Sequence, residues 1–292
     1  MDFKTELSLR TEETEKIIKS FLPEETGFQK TIFEACNYSV NAGGKRLRPI
    51  IMKETAALCG GAAETQIGPF MAAIEMIHSS SLVHDDLPCM DNDRLRRGRL
   101  STWAEFGEDM GTLAGDGLMI YAFETACKSD APADRKLEAI RILSEKTGIY
   151  GMIGGQTVDV ELTGGSPSKE ELLFIYRLKT GALLEASFMI GAVLAGADSE
   201  TVEKLERAAG LIGLAFQIRD DILDEISTAE ELGKPIGSDA ENNKITWLTY
   251  YGMEQSEKDV RSYTEEAMQI IKGIGDNTFL EELLGYLVSR KN

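Results

Sequence analysis

The sequence predicts an all-α fold. Apolar residues recur at helical spacing through most of the chain. Prolines fall near the boundaries of those periodic stretches, where a helix start tolerates them. The Val/Ile/Thr alternation of strands is nearly missing. Taken in order, residues 12–21 carry a stripe of Ile17, Ile18 and Phe21, and residues 71–87 carry Ile74, Ile77, Leu82 and several alanines. Further helical runs fit 110–127, 133–147, 169–195, 201–225 and 257–274. Pro23, Pro49, Pro69, Pro132, Pro167 and Pro235 are expected at or near their edges. No stretch rich in Pro, Ser or one charge divides the chain, so residues 1–292 are expected to form one domain.

The chain carries 49 acidic residues against 31 Lys and Arg. That balance argues against general affinity for nucleic acid or anionic membrane, although a local basic patch can still hold a phosphate. No stretch reaches the length of a membrane span, and the polar N-terminus lacks a signal-peptide pattern. Cys36, Cys59, Cys89 and Cys127 are scattered without CxxC spacing, which favours a reduced, cytoplasmic setting. His78 and His84 are the two histidines, so a Ser-His-Asp triad elsewhere and a Cys/His zinc site are excluded.

Two aspartate clusters stand out. Asp85, Asp86 and Asp91 lie in HDDLPCMD (84–91), and Asp220, Asp221 and Asp224 lie in FQIRDDILD (216–224). Pro88 stops the first helix, so Asp85 and Asp86 project from its last turn and Asp91 returns from the loop. Acids there face the negative end of the helix dipole. Asp220 and Asp224 share a helical face, and Asp221 is turned aside. Like charges about 6 Å apart repel by roughly 3 kcal/mol at an effective dielectric of about 20. Each cluster alone reads as a solvated acidic strip; together they read as a paired site for Mg²⁺ and a diphosphate, because Mg²⁺ takes a few carboxylates plus substrate phosphates.

The basic counterpart is GGKRLRP (43–49). Paired glycines let backbone N–H groups approach an anion, with Lys45 and Arg48 as the clamp. Arg94, Arg96, Arg97 and Arg99 follow the first acidic cluster, where charge pairing is the plainer role for some of them. His78 lies two helical turns before Asp85 on the same face, within reach of a phosphate there. Gly154-Gly155 interrupts the helical pattern, which close helix approach or a flexible loop explains equally well. Lys179-Thr180 sits in an otherwise apolar helix, where a buried lysine calls for an anion. Gln217 precedes Asp220 by about one turn.

In order and spacing, these segments resemble the trans-prenyl diphosphate synthases. The resemblance runs from about residue 40 to residue 250. Its motifs are GGKRLRP, His78 before HDDLPCMD, LRRG (95–98), AGDGL (114–118), GGQTVD (154–159), KTG (179–181), FQIRDDILD, GK (233–234) and KIT (244–246). Four residues separate the first aspartate pair from Asp91, a spacing similar to the bacterial and plant short-chain enzymes. The resemblance implies an isoprenoid synthase fold: one large helical bundle around a deep central cavity, as a homodimer. It implies three Mg²⁺ ions on an allylic diphosphate. Asp85, Asp91 and Asp220 would be direct ligands, with Asp86, Asp221 and Asp224 as ligands or just behind them. Lys45, Arg48, His78 and Arg97 would hold isopentenyl diphosphate. Arg96, Lys179, Lys234 and Lys244 would grip the allylic diphosphate, and Thr180 and Gln217 would line the carbocation. The implied reaction gives C15 farnesyl and/or C20 geranylgeranyl diphosphate.

Four departures from the family pattern stand out: Arg94 where an acid is common, Trp103 where a histidine is, Ser238 where a second lysine is, and Trp247-Leu248 after KIT where Tyr-Pro is. None removes a metal ligand. Ser80 lies five residues before Asp85, about 7.5 Å along the helix. Ser80 and Ser81 are small, so the cavity is expected to extend toward Met76 and admit a C20 product. Alternatives are a terpene cyclase of the same fold and a non-catalytic prenyl diphosphate-binding subunit of a heteromeric synthase. A di-iron bundle would need two Glu-x-x-His units, and Glu75–His78 supplies one.

Overall fold

The computed structural model describes residues 2–226 and 245–289. These fold into a single helical bundle. Its helices are α1 (Phe3–Ser20), α2 (Lys30–Val40), α3 (Leu47–Leu58), α4 (Glu64–Asp85), α5 (Thr102–Phe106), α6 (Glu108–Cys127), α7 (Ala133–Thr147), α8 (Met152–Glu161) and α9 (Lys169–Ile175). After α9 come a π-helical segment (Tyr176–Gly181), α10 (Ala182–Ala195), α11 (Ser199–Ile226), α12 (Trp247–Lys272) and α13 (Thr278–Ser289). Local chemistry sets several ends. Asp2 accepts from the Thr5 amide at 3.1 Å to start α1. Ser168 and Glu171 form a reciprocal capping box at the start of α9. Gly196, with φ of 87°, closes α10.

Helix α4 packs on α6 and α3, while α10 packs on α3, α7 and α11, and α11 runs along α12. The principal core includes Phe70, Ile74, Met76 and Ile77 of α4 and Phe188 and Ile190 of α10, all fully buried. A second apolar cluster joins Tyr176, Ile218, Ile222 and Trp247 beside the second aspartate cluster.

Several boundaries differ from the sequence expectation. Gly154 and Gly155 do not interrupt a helix; they lie inside α8. Pro69 sits within α4, which begins at Glu64. Helices α1 and α4 extend back to Phe3 and Glu64, and their added turns bring Phe3, Leu7, Ile67 and Phe70 to the core. The 257–274 run begins at Trp247 and is broken at Gly252, with φ of 73°. A two-stranded hairpin pairs Leu95 with Leu100 and Arg96 with Arg99. Arg97 and Gly98, both at positive φ, make its turn. By length and composition the 27-residue run Lys169–Ala195 would suffice to cross a membrane, against the expectation of none. In the fold, 78% of its most apolar window is buried inside the protein, as in a core helix.

Candidate active site

The π-helical segment lies between the two aspartate clusters. Its wider turn adds a residue to the ring and interrupts the helical register between α9 and α10. Tyr176, Lys179 and Thr180 thereby each meet a different partner. Lys179 forms an ion pair with Asp159 of α8. Thr180 donates to Oε1 of Gln217 on α11 at 2.9 Å. The Tyr176 hydroxyl donates to Oδ2 of Asp221 at 2.5 Å. Gln156 lies one turn before Asp159 on α8, and its amide donates to Oδ1 of Asp85 at 2.8 Å. Residues on α4, α8, α9–α10 and α11 are thus linked through hydrogen bonds and one ion pair.

Close backbone contact makes this arrangement possible. A Cβ built on Gly155 would stand 2.3 Å from the Lys179 backbone nitrogen, so only glycine lets α8 lie against the π segment. Of the two explanations for the paired glycines, close helix approach is therefore the one this structure shows.

Asp85 and Asp86 end α4, and the Asp91 amide donates to the Asp85 carbonyl at 2.9 Å, folding the loop back. Burial pushes the Asp85 carboxyl up to about 6; Asp91 and Asp86 add to the rise, and the Lys179 and Arg96 charges oppose it. Burial likewise raises Asp86, against its ion pair with Arg96. Arg96 thus meets Asp86 and, at 3.4 Å, Asp93. In the second cluster Asp221 is buried and accepts the Tyr176 hydroxyl and the Trp247 amide, the latter at 3.1 Å. Asp220 and Asp224 are half-buried on α11. Among the described residues no three His, Cys, Asp or Glu side chains converge as a ready-made metal cage. The donor set still suits a hard divalent ion. It is all carboxylate, and the half-buried Asp85 is raised first by desolvation and then by the neighbouring Asp91 and Asp86, whose charge a cation would offset. Lys234, Lys244 and Ser238 lie outside the described residues.

The basic residues gather around His78. Burial holds its imidazole well below the ordinary histidine range, and the charges of Arg48, Arg97, Arg46 and Arg96 push it further down. Arg48 Nε is buried without a hydrogen-bond partner, an orphaned donor beside cationic neighbours that suits an anion. Arg97 donates to the Gly43 carbonyl. A Cβ on Gly44 would stand 2.7 Å from its guanidinium. Lys45 donates to the Tyr286 hydroxyl of α13 at 3.1 Å.

Two of the four departures compensate each other. The Arg94 guanidinium sits 5.2 Å from the centre of the Trp103 ring, and the Trp103 indole donates to the Asp93 carbonyl at 2.9 Å. Trp247 packs between Tyr176 and Tyr251 while its amide caps Asp221. The sequence reading missed Gln156, Asp159, Tyr176 and Tyr286 as partners of site residues. GGQTVD marked Gln156 and Asp159 as a motif without showing what they meet. Tyr176 lies three residues before Lys179, but no spacing in the sequence links it to Asp221. Tyr286 lies 241 residues from Lys45, with no signal at all.

Residues 29–283 match the family model described as Polyprenyl synthetase. The chain is 41% identical to a geranylgeranyl diphosphate synthase of Cyanophora paradoxa, over 99% of this chain and 96% of that protein. It is 42% identical to a farnesyl diphosphate synthase of Geobacillus stearothermophilus, over 82% of this chain and 81% of that one. The crystal structure of an FPP/GFPP synthase from Zymomonas mobilis superposes with a TM-score of 0.87 at 30% identity, covering 98% of this chain and 99% of that one. Fold, motifs and relatives agree, and the chain belongs to the polyprenyl synthetase family.

Proposed function

We propose that this protein is a short-chain trans-prenyl transferase. It condenses isopentenyl diphosphate with dimethylallyl, geranyl or farnesyl diphosphate to give C15 farnesyl and/or C20 geranylgeranyl diphosphate. The observation that carries the reading is the hydrogen-bonded frame that links Asp85, Gln156, Lys179, Thr180, Gln217 and Asp221, beside a cluster of arginines around His78. The names of the relatives supply the reaction class.

Asp85, Asp86, Asp91, Asp220, Asp221 and Asp224 are the residues that would hold Mg²⁺, with three ions as the proposed count. When bound there, Mg²⁺ would supply the positive charge that offsets the leaving diphosphate as the allylic C–O bond ionises. Lys179, Arg96, Lys234 and Lys244 hold the allylic diphosphate. Thr180 and Gln217, already paired, present oxygen dipoles to the allylic carbocation. Lys45, Arg48, Arg97 and a neutral His78 hold isopentenyl diphosphate, whose alkene attacks that cation. The departing diphosphate takes the proton that is then lost, so no side-chain base is needed. The active form is proposed as a single catalytic domain in a homodimer. Leu113 and Ile120, exposed on α6, are suited to a partner's face. With Cys36, Cys59, Cys89 and Cys127 all free, a reduced cytoplasmic setting fits.

Incubating the protein with Mg²⁺, labelled isopentenyl diphosphate and geranyl diphosphate tests the proposal. Elongated prenyl diphosphate supports it. A hydrocarbon made from the allylic substrate alone would indicate a cyclase, and binding without turnover a non-catalytic subunit.

A further inference from the structure

The turn that carries Lys45 and Arg48 is held from beneath by a carboxylate with no role in the reaction as described. Arg46, between them, has left-handed backbone, φ 49°. A non-glycine residue keeps that conformation when its surroundings over-determine it. Here they do. The Arg46 guanidinium is buried, donating to Glu75 at 2.7 Å and to the Val40 carbonyl at 2.8 Å, with the Glu15 carboxylate 3.5 Å away. Glu75 is 2% exposed and lies on α4, one turn before His78. Its influence reaches past Arg46. Burial lowers the guanidinium groups of Arg48 and Arg97, and for both the Glu75 charge is the one that opposes it. A site built to receive a diphosphate must keep several cations together before that anion arrives, and a buried counter-charge lets it do so.

We infer that Glu75 is a positioning residue for the diphosphate of isopentenyl diphosphate: by anchoring Arg46 it locks the left-handed turn that sets Lys45 and Arg48 on either side. The inference rests on the reading above that this cluster receives that substrate. Glu75 itself does not touch the anion.

The sign of the effect separates positioning from charge. If Glu75 acted through its field alone, neutralising it would make the site more positive and tighten anion binding. If it positions the turn, the same change loosens binding. In Glu75→Gln, KM for isopentenyl diphosphate rises about tenfold or more, KM for the allylic diphosphate changes less than about twofold, and kcat at saturation is nearly kept. Arg46→Gln gives the same split. The double variant Glu75→Gln/Arg46→Gln is no worse than either single one, because both remove the same lock. The double variant also guards the test against misfolding, since it leaves neither member of the pair buried as an unpaired charge. Titration of inorganic pyrophosphate into the metal-free protein supplies a second readout, weakened to a similar degree in each variant.

An isopentenyl diphosphate KM that is unchanged or lower in a folded variant overturns the inference. So does an equal rise in both substrates' KM, which would mean general loosening. If the wild type binds pyrophosphate but makes no elongated product, the functional reading fails. The titration then decides alone, weaker binding in the variants supporting the lock and unchanged binding overturning it. A wild type that binds no pyrophosphate overturns both.

Discussion

The Asp85 carboxyl is half-buried and raised to about 6. Such a group is costly until a cation meets it, and on the proposed function bound Mg²⁺ would be that cation. Asp85→Ala and Asp220→Ala are each expected to lower kcat by about a hundredfold or more, measured at saturating Mg²⁺. Near-normal rates would remove them as ligands. His78 yields a pH prediction. Its folded-state pKa lies well below its ordinary 6.5, so the folded protein binds fewer protons than the unfolded chain at acid pH. The stability linked to His78 is therefore fully present above about pH 6.5 and is lost as pH falls below it. Chemical denaturation of wild type and His78→Asn across pH 5 to 8 should show a shallower acid loss in the variant; parallel curves would refute the assignment. Residue types at this scale were legible where chemistry is local. The pairing of Lys179 with an anion could be anticipated, because a lysine in an otherwise apolar helix calls for one. That Lys179's anion is Asp159, or that Arg94 stacks on Trp103, depends on tertiary approach, which spacing does not encode.

At the scale of elements, the π segment organises the centre. An unbroken α-helix over residues 169–195 would keep one register throughout, whereas the π turn lets Tyr176, Lys179 and Thr180 reach Asp221, Asp159 and Gln217. Nothing in YRLKTG announces a π turn, because the same residues suit an α-helix. Helix α8 was equally hard to read. Its two glycines look like a break, but Gly155 is where the π segment docks and Gly154 clears the Ile149 carbonyl, and its short length leaves little periodicity. Gly155→Ala is expected to destabilise the protein by about 1–3 kcal/mol, as overpacking does. It should also depress kcat, because moving α8 shifts Gln156 away from Asp85 and Asp159 away from Lys179. Thermal unfolding and steady-state rates check this together; an alanine tolerated in both would mean that the approach is looser than described. The amphipathic α7 was read to the residue, since a continuous stripe runs through it and Pro132 marks its start.

For the whole molecule, the bundle places an acidic frame and a basic cluster along α4, with His78 and Glu75 deeper and Asp85 at the end. On the proposed function, product length would follow from what lies beneath Asp85. Met76 and Ser80 are fully buried, and Ser80 and Ser81 donate back to the carbonyls of Ile77 and His78 at 2.9 Å each. Neither Met76 nor Ser80 borders open space as the helices now pack, and we propose that the small serines let the wall yield to a C20 chain. Ser80→Tyr should shorten the product, read by chromatography of the dephosphorylated prenyl alcohols; an unchanged distribution would move the limit to a neighbouring helix. Overall topology was legible because helical periodicity persists across the chain, while the closeness of α13 to the basic loop was not, as its contact arises only when the chain ends meet. The account depends most on the two aspartate clusters serving one diphosphate together. A crystal structure with Mg²⁺ and a non-hydrolysable allylic diphosphate analogue tests this directly. The account predicts metal ions bridging one diphosphate, with Asp85 and Asp91 bound on one side and Asp220 on the other; ions confined to one cluster, or a diphosphate held away from both, would contradict it.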